Sequence, residues 1–182
     1  SAALALAKRG WTVDVLEKSQ EIREVGAGIQ ISPNGLRVLD ELDVTKNIES
    51  SLFEPENLEL RSGKSGRKIF SIPLKKISQK RWDARYIQIH RNDLIKGFLR
   101  SIESHSNINI LTNRKVLSYK DNAESISLKL NSEETLIGDL VVGADGLNST
   151  IRLQMFNRTC SSYTGYMAWR CLTPADKINK KY

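Results

Sequence analysis

The sequence is poor in the residues that hold small proteins together by disulfides or metal ions. It has two cysteines, Cys160 and Cys171, and two histidines, His90 and His105, among 182 residues. Two cysteines are too few for a disulfide framework, and their spacing is not that of metal ligands, so no metal site is expected. No apolar run is long enough to cross a bilayer, which argues against a membrane role. A basic start followed by an apolar core and a cleavage site is also missing, so no signal peptide is expected, although the chain does not begin with Met. The default localisation is then cytoplasmic, and the sequons at Asn148 and Asn157 read as accidental. Internal repeats and low-complexity segments are lacking.

What is present is an ordinary globular composition, 40% hydrophobic and 27% charged. The length allows one domain, or one and part of another. Lys and Arg outnumber Asp and Glu 28 to 21, a formal charge of +7. The surplus alone admits a non-enzymatic basic binding module. It is spread out, however, with small concentrations at 75–85 and 177–181. Neither interleaves aromatics as a single-strand binder does, so no nucleic-acid partner is expected. A solvated basic surface that helps to attract anionic cofactors is the better reading.

Residues 1–9, SAALALAKR, favour a helix, and Gly10 supplies its stop. The β-rich run 11–16 follows and finishes at Glu17. A small-residue helix, a glycine stop, a strand and a terminal acid look like the second half of a nucleotide-binding βαβ unit. In that unit the acid lies about 20 residues after a glycine-rich phosphate loop and accepts ribose hydroxyls. Counting back from Glu17 runs off the start of the chain, so a first strand and its loop are expected upstream. Taken alone, Glu17 reads as a surface acid at a strand end.

Gly26, Ala27 and Gly28 suggest a close backbone approach before a short strand. Ser32 and Pro33 fit the N-cap and first position of a helix whose apolar face holds Leu36, Val38, Leu39 and Leu42. A hairpin is expected from strands at 58–61 and 67–72 with a turn at 62–66. Residues 73–85 read as basic and irregular. A strand at 86–90, a helix from Asn92 or Asp93 to about Glu103, and a strand at 108–111 follow. A β meander is expected over 115–137, with turns at 121–122 and 131–133. The aromatic run 161–171 is a candidate strand of a second region.

The stretch 138–152, GDLVVGADGLNSTIR, carries the densest signal. Residues 140–142 read as a buried strand. Gly143, Ala144, Asp145 and Gly146 then allow a sharp turn, and Asn148 or Ser149 can cap a helix that carries Arg152. Strand, Gly-Asp-Gly turn and helix suit an anionic, nucleotide-like ligand. The same pattern also describes a plain strand–turn–helix connection with a capping Asp.

Five segments, in order, resemble the FAD-dependent aromatic hydroxylases, single-component flavoprotein monooxygenases of the salicylate hydroxylase and 4-hydroxybenzoate hydroxylase type. They are SAALALAKRGWTVDVLEKS, EVGAGIQISPNGLRVLDEL, HRNDL, GDLVVGADGLNSTIR and YTGYMAWR. The salicylate hydroxylase-like branch is the nearest. The resemblance is weakest at 50–85 and 115–135, and it is not specific to a substrate.

The resemblance implies an α/β fold: a Rossmann-like FAD-binding domain of glutathione reductase-like topology, with inserted β strands and the start of a mixed-sheet substrate domain. Residues 1–160 would form the partial FAD-binding domain, with 50–85 contributing to the substrate region, and 161–182 would begin the substrate-binding domain. Glu17, with Lys18 beside it, would hold the adenosine ribose of FAD. Gly26, Ala27 and Gly28 would lie beside the flavin, where small residues permit contact. Arg91 would meet the pyrophosphate or another polar cofactor edge. An exposed cation at a helix start is its plainer reading, but one that is electrostatically poor without an anion nearby. Asp145 and Gly146 match the family's Asp-Gly motif, which serves FAD and the nicotinamide cofactor. Being an anion, Asp145 would fix the turn and engage ribose or water rather than a phosphate. Arg152 would be structural. Tyr166 and Arg170 would orient substrate, whereas Trp169 would pack in a strand.

The implied reaction uses NAD(P)H and O2 to hydroxylate a small aromatic. A flavoprotein reductase or epoxidase sharing the same cofactor half is the alternative. The absent glycine loop, and a later Gly-Asp motif also absent, make an internal fragment or a truncated chain the expectation. The resemblance does not reach the oligomeric state.

Overall fold

The computed structural model describes residues 1–22, 28–157, 162–169 and 173–177. These fall into two compact units. One lies within Ala3–Val13 and Arg23–Ile108, with Ser1; the other lies within Asp14–Ile22 and Asn109–Tyr182, with Ala2.

Helix α1 (Ala2–Ala7) is made of strong helix formers and buries Leu4 and Ala7. It closes at Gly10, at φ +87°. Gly10 N–H donates to Ala7 O at 3.0 Å and Trp11 N–H to Leu6 O at 3.2 Å, the Schellman pairing that a left-handed glycine permits. Strand β1 (Val13–Leu16) follows and pairs with β6 (Ile108–Leu111). Val13 N–H donates to Asn107 O and Glu17 N–H to Leu111 O. Donor and acceptor advance together, so the pair is parallel.

In the first unit, β2 (Gly28–Ile31) and β5 (Ile87–His90) form an antiparallel ladder from Gly28↔His90 to Ile31↔Ile87. Helix α2 (Pro33–Glu41) starts with Pro33 after Ser32, as expected. The Ser32 hydroxyl nevertheless donates to Asn34 Oδ1 instead of capping a backbone N–H. Leu36, Leu39 and Leu42 are buried, but Val38 is exposed. Two residues advance a helix by about 200°, which turns Val38 away from Leu36. Helix α3 (Thr45–Ile48) packs against α5 (Arg91–Glu103) at Gly97. A Cβ on Gly97 would stand 2.1 Å from Ile48 Cγ2, so only glycine allows this approach.

The hairpin expectation holds: β3 (Leu58–Arg61) pairs antiparallel with β4 (Lys68–Ile72). The irregular reading of 73–85 does not, because Leu74–Trp82 is helix α4. Its shielded stripe is Leu74, Ile77 and Ser78. A serine at one of those three places hides the helical period from a hydrophobicity pattern.

The second unit holds the expected meander: β7 (Val116–Asp121), β8 (Ile126–Leu130) and β9 (Thr135–Gly138), in that order across the sheet. Helix α6 (Thr150–Phe156) packs on β7, and Leu130 and Ile151 are buried. Two expected strands are not formed. Residues 140–142 pair with no strand among the described residues, and Leu140 and Val142 are exposed. Residues 162–169 are likewise unpaired and exposed; the ends of that expected strand lie outside the described residues. An apolar run is a strand only where a ladder partner takes its N–H and C=O groups.

Candidate functional site

The residues singled out from the sequence gather in three places. The first is the carboxyl end of β1, where ligands of parallel sheets bind. Glu17 is half-buried there. Its N–H donates to Leu111 O at 2.9 Å, and its own carbonyl accepts from Arg114 N–H at 2.8 Å. Its side chain turns back so that Oε1 accepts from Ser19 N–H at 2.8 Å. The other oxygen, Oε2, has no partner among the described residues. Lys18 is exposed beside it.

The second place is one end of the β2–β5 ladder. Gly28 is paired with His90, and Arg91 follows His90 directly as the first residue of α5. The structure therefore brings Gly28 and Arg91 together. A Cβ on Gly28 would meet nothing within 4 Å, so the space beside it is open. Arg91 is exposed. Gly26 and Ala27 lie outside the described residues, as does Arg170.

The third place is the turn before α6. Ser149 is the N-cap, and its Oγ accepts from Arg152 N–H at 2.9 Å. Asp145 reaches over the same helix end: its carboxylate accepts from the Ser149 hydroxyl, from Thr150 N–H at 2.7 Å and from Ile151 N–H at 3.2 Å. Partial desolvation works against the ionised form of Asp145. Its hydrogen bonds from Ser149 and from the amides of Ile151, Asp145 itself and Thr150 outweigh this and hold its pKa below the usual value. The Arg152 guanidinium donates to Leu147 O within the turn. Gly146 sits at φ +80°, where a side chain would be strained. At Gly143 a Cβ would come within 2.9 Å of Ile151 Cγ2. The turn is thus specified by Gly143, Asp145, Gly146 and Ser149 together, with Asp145 spending its acceptors on the protein.

Tyr166 is exposed on the 162–169 segment, which is unpaired among the described residues. Sequence reading missed Gln154, whose side-chain amide grips the backbone of Tyr119. A glutamine on a short helix carries no sequence signal that separates it from a solvated one. Among the described residues there is no cluster of metal-ligating side chains, and no helix is long and apolar enough to cross a membrane.

Comparison with known proteins shows the family. A family model described as an FAD binding domain matches residues 1–171. The chain is 30% identical over 178 residues to 3-hydroxybenzoate 6-hydroxylase 1 of Aquipseudomonas alcaligenes, covering 98% of this chain and 45% of that protein. It is 32% identical over 178 residues to 3-amino-4-hydroxybenzoate 2-monooxygenase of Streptomyces cremeus, covering 98% and 44%. Among solved structures, the tetrameric form of 2-methyl-3-hydroxypyridine-5-carboxylic acid oxygenase matches with a TM-score of 0.72 at 28% identity, covering 85% of this chain and 38% of that one. The chain spans less than half the length of these relatives. The expected Rossmann-like α/β fold of an FAD-binding domain holds. By the match over 1–171 and by these relatives, the chain belongs to the FAD-binding family of the FAD-dependent aromatic hydroxylases.

Proposed function

We propose that this chain is the FAD-holding part of a monooxygenase that hydroxylates a small, salicylate-like aromatic acid with NAD(P)H and O2. The observation that carries the reading is the family match over residues 1–171, joined to relatives named as ring hydroxylases and monooxygenases. Overall, one oxygen atom of O2 enters the ring and the other leaves as water, at the cost of one NAD(P)H and one proton.

The donor set fits the cofactor at its adenosine end. Among the described residues Glu17 Oε2 is an unused anionic acceptor at the end of a parallel strand, and ribose hydroxyls are donors. Lys18 adds positive charge beside it. Asp145 supports the cofactor by holding the turn, since its oxygens already accept from Ser149, Thr150 and Ile151. Gly146 lets the turn pass close to a ligand. Arg91 suits the anionic pyrophosphate, and Gly26, Ala27 and Gly28 suit the flat flavin, where a larger side chain would intrude. When bound, FAD supplies the redox and oxygen-transfer chemistry. The protein's share is to bind, orient and exclude water. Tyr166 and Arg170 orient substrate where a substrate-binding domain begins, at 161–182, and residues 50–85 add to that region. The enzyme works in the cytoplasm.

The test uses the protein flanked as its gene encodes it. A purified protein with flavin absorbance, which consumes NAD(P)H on addition of 3-hydroxybenzoate or salicylate and releases a ring-hydroxylated product, is the expected result. No flavin uptake would overturn the cofactor assignment. Substrate reduction or epoxidation without ring hydroxylation would overturn the reaction. The 182-residue chain alone is expected to bind FAD weakly and not to turn over, because it holds no G-x-G-x-x-G phosphate cradle.

A further inference from the structure

We infer that Gln154 is a positioning residue: it clamps α6 to the edge of β7 and thereby sets the 143–149 turn that the FAD-binding reading above places at the cofactor. Helix α6 has seven residues, and helices that short do not stand alone in water. Its apolar burial is slight. Ile151 is its one buried residue, while Leu153, Met155 and Phe156 remain exposed. Something other than a hydrophobic face must hold it on the sheet.

That role falls to the Gln154 amide. Tyr119 N–H donates to Gln154 Oε1 at 3.0 Å, and Gln154 Nε2 donates to the Tyr119 carbonyl. One side chain therefore satisfies both outward-facing backbone groups of a residue on the outer strand of the β7–β8–β9 sheet. A carboxamide has the same donor and acceptor as a peptide unit, so Gln154 substitutes for one step of a missing neighbouring strand. It also covers part of an edge that would otherwise be open to pairing.

From Gln154 the constraint runs one turn back along α6. Ile151 stands against Gly143 with no room for a Cβ between them. Thr150 and Ile151 present their N–H groups to Asp145. If α6 swings on the sheet, these groups move relative to Asp145 and the turn loses its shape. Cofactor affinity should therefore depend on a glutamine that does not touch the cofactor.

The experiment compares Gln154→Met, which keeps length but removes both hydrogen bonds, with Gln154→Glu, which keeps only the acceptor. Both are made in the protein as its gene encodes it. For Gln154→Met we expect FAD affinity about tenfold weaker, from the loss of two modest bonds. Gln154→Glu should not recover the loss, because its second, anionic oxygen faces the Tyr119 carbonyl, and KM for the aromatic substrate should stay unchanged. Amide hydrogen exchange should quicken at Thr150 and Ile151 but not in the β8–β9 ladder. Unchanged exchange at Thr150 and Ile151 would overturn the inference. So would exchange that rises equally across β8 and β9, since Gln154 would then only stabilise the sheet. A wild-type protein that takes up no flavin would overturn the cofactor reading instead, and exchange at the two amides would still decide for or against the clamp.

Discussion

Arg91 follows a strand whose inward residues, Ile87 and Ile89, are fully shielded. Asp145 sits in an exposed turn whose shape comes from hydrogen bonds to its own carboxylate. Both are proposed to serve an anionic cofactor, yet their supports differ in kind. Around Arg91 the support is apolar packing: Leu36, Leu39, Val44, Ile48, Ile87 and Ile89 are buried in the same unit. In the unit of Asp145 the buried apolar residues among those described are Leu130 and Ile151, and at the turn itself polar contacts supply the support. Packing is non-directional and fails by cavities or clashes, whereas a hydrogen-bonded turn fails one bond at a time. Substitutions in the two regions should therefore separate global stability from local order.

The largest effect is expected at Ile87. It is fully buried, and Ile87→Ala should cost about 2–5 kcal/mol through lost transfer energy and a cavity. Urea denaturation measures this. A cost no larger than that of a surface substitution would break the contrast, because the Arg91 region would not then rest on packing. Next is Gly97→Ala. Its Cβ would meet Ile48 Cγ2 at 2.1 Å, an overpacking cost of about 1–3 kcal/mol. Alanine's better helix propensity offsets up to about 1 kcal/mol of it. Adding Ile48→Ala removes the colliding atoms, so the double variant should be less destabilised than the sum of the two single ones. Strict additivity would deny the clash.

In the second unit, Ser149→Ala removes an N-cap acceptor and a donor to Asp145. A cap of this type contributes about 1 kcal/mol to its helix. The loss should appear as faster amide exchange at Arg152 and its neighbours, with little change in the β7–β8 ladder. A cooperative loss of the whole unit would show that the turn and the sheet are not separable.

What the sequence made legible follows the same division. Local periodicity exposed α2 and β5, because Leu36 and Leu39, or Ile87 and Ile89, repeat at the spacing of their element, while turn and helix-start residues exposed the 58–72 hairpin, the meander and α5. Glycine, Asp and Ser at 143–149 exposed the turn, since few other residues meet its backbone and capping needs. Three features were hidden. Helix α4 was masked by Ser78 in its buried stripe. The 140–142 run has strand composition, but pairing is a non-local property that composition does not encode. Gln154 was invisible because its partner, the Tyr119 backbone, is far along the chain and has no side-chain signature. Of the candidate site, the places of Glu17 at a strand end, Arg91 at a helix start and Asp145 in a turn were readable. That Asp145 spends its oxygens on α6 was not.

The smallest effect sharpens that last point and concerns pH. Asp145 is held below the ordinary carboxylate range despite partial desolvation, because hydrogen bonds from Ser149 and the Ile151, Asp145 and Thr150 amides favour its anion. Its folded pKa thus lies below the unfolded value of about 3.9. The contribution of the anion to the turn is complete above that unfolded value and is lost as pH falls through the folded one, with no change expected near neutrality. A global acid-unfolding curve would not isolate it. Asp43 is depressed by Lys8 and Lys46, Glu49 by Arg85, and Glu59 by Arg61 and Lys68, so each adds its own loss in acid. The readout must be local: the amide resonances of Thr150 and Ile151, which donate to Asp145, followed as pH is lowered. They should titrate together, below the ordinary carboxylate range. In Asp145→Asn that titration should vanish, while an oxygen acceptor remains to hold the turn in part. Midpoints at or above the ordinary range would mean that the carboxylate is not committed to α6, and Asp145 would then be free to contact the cofactor directly.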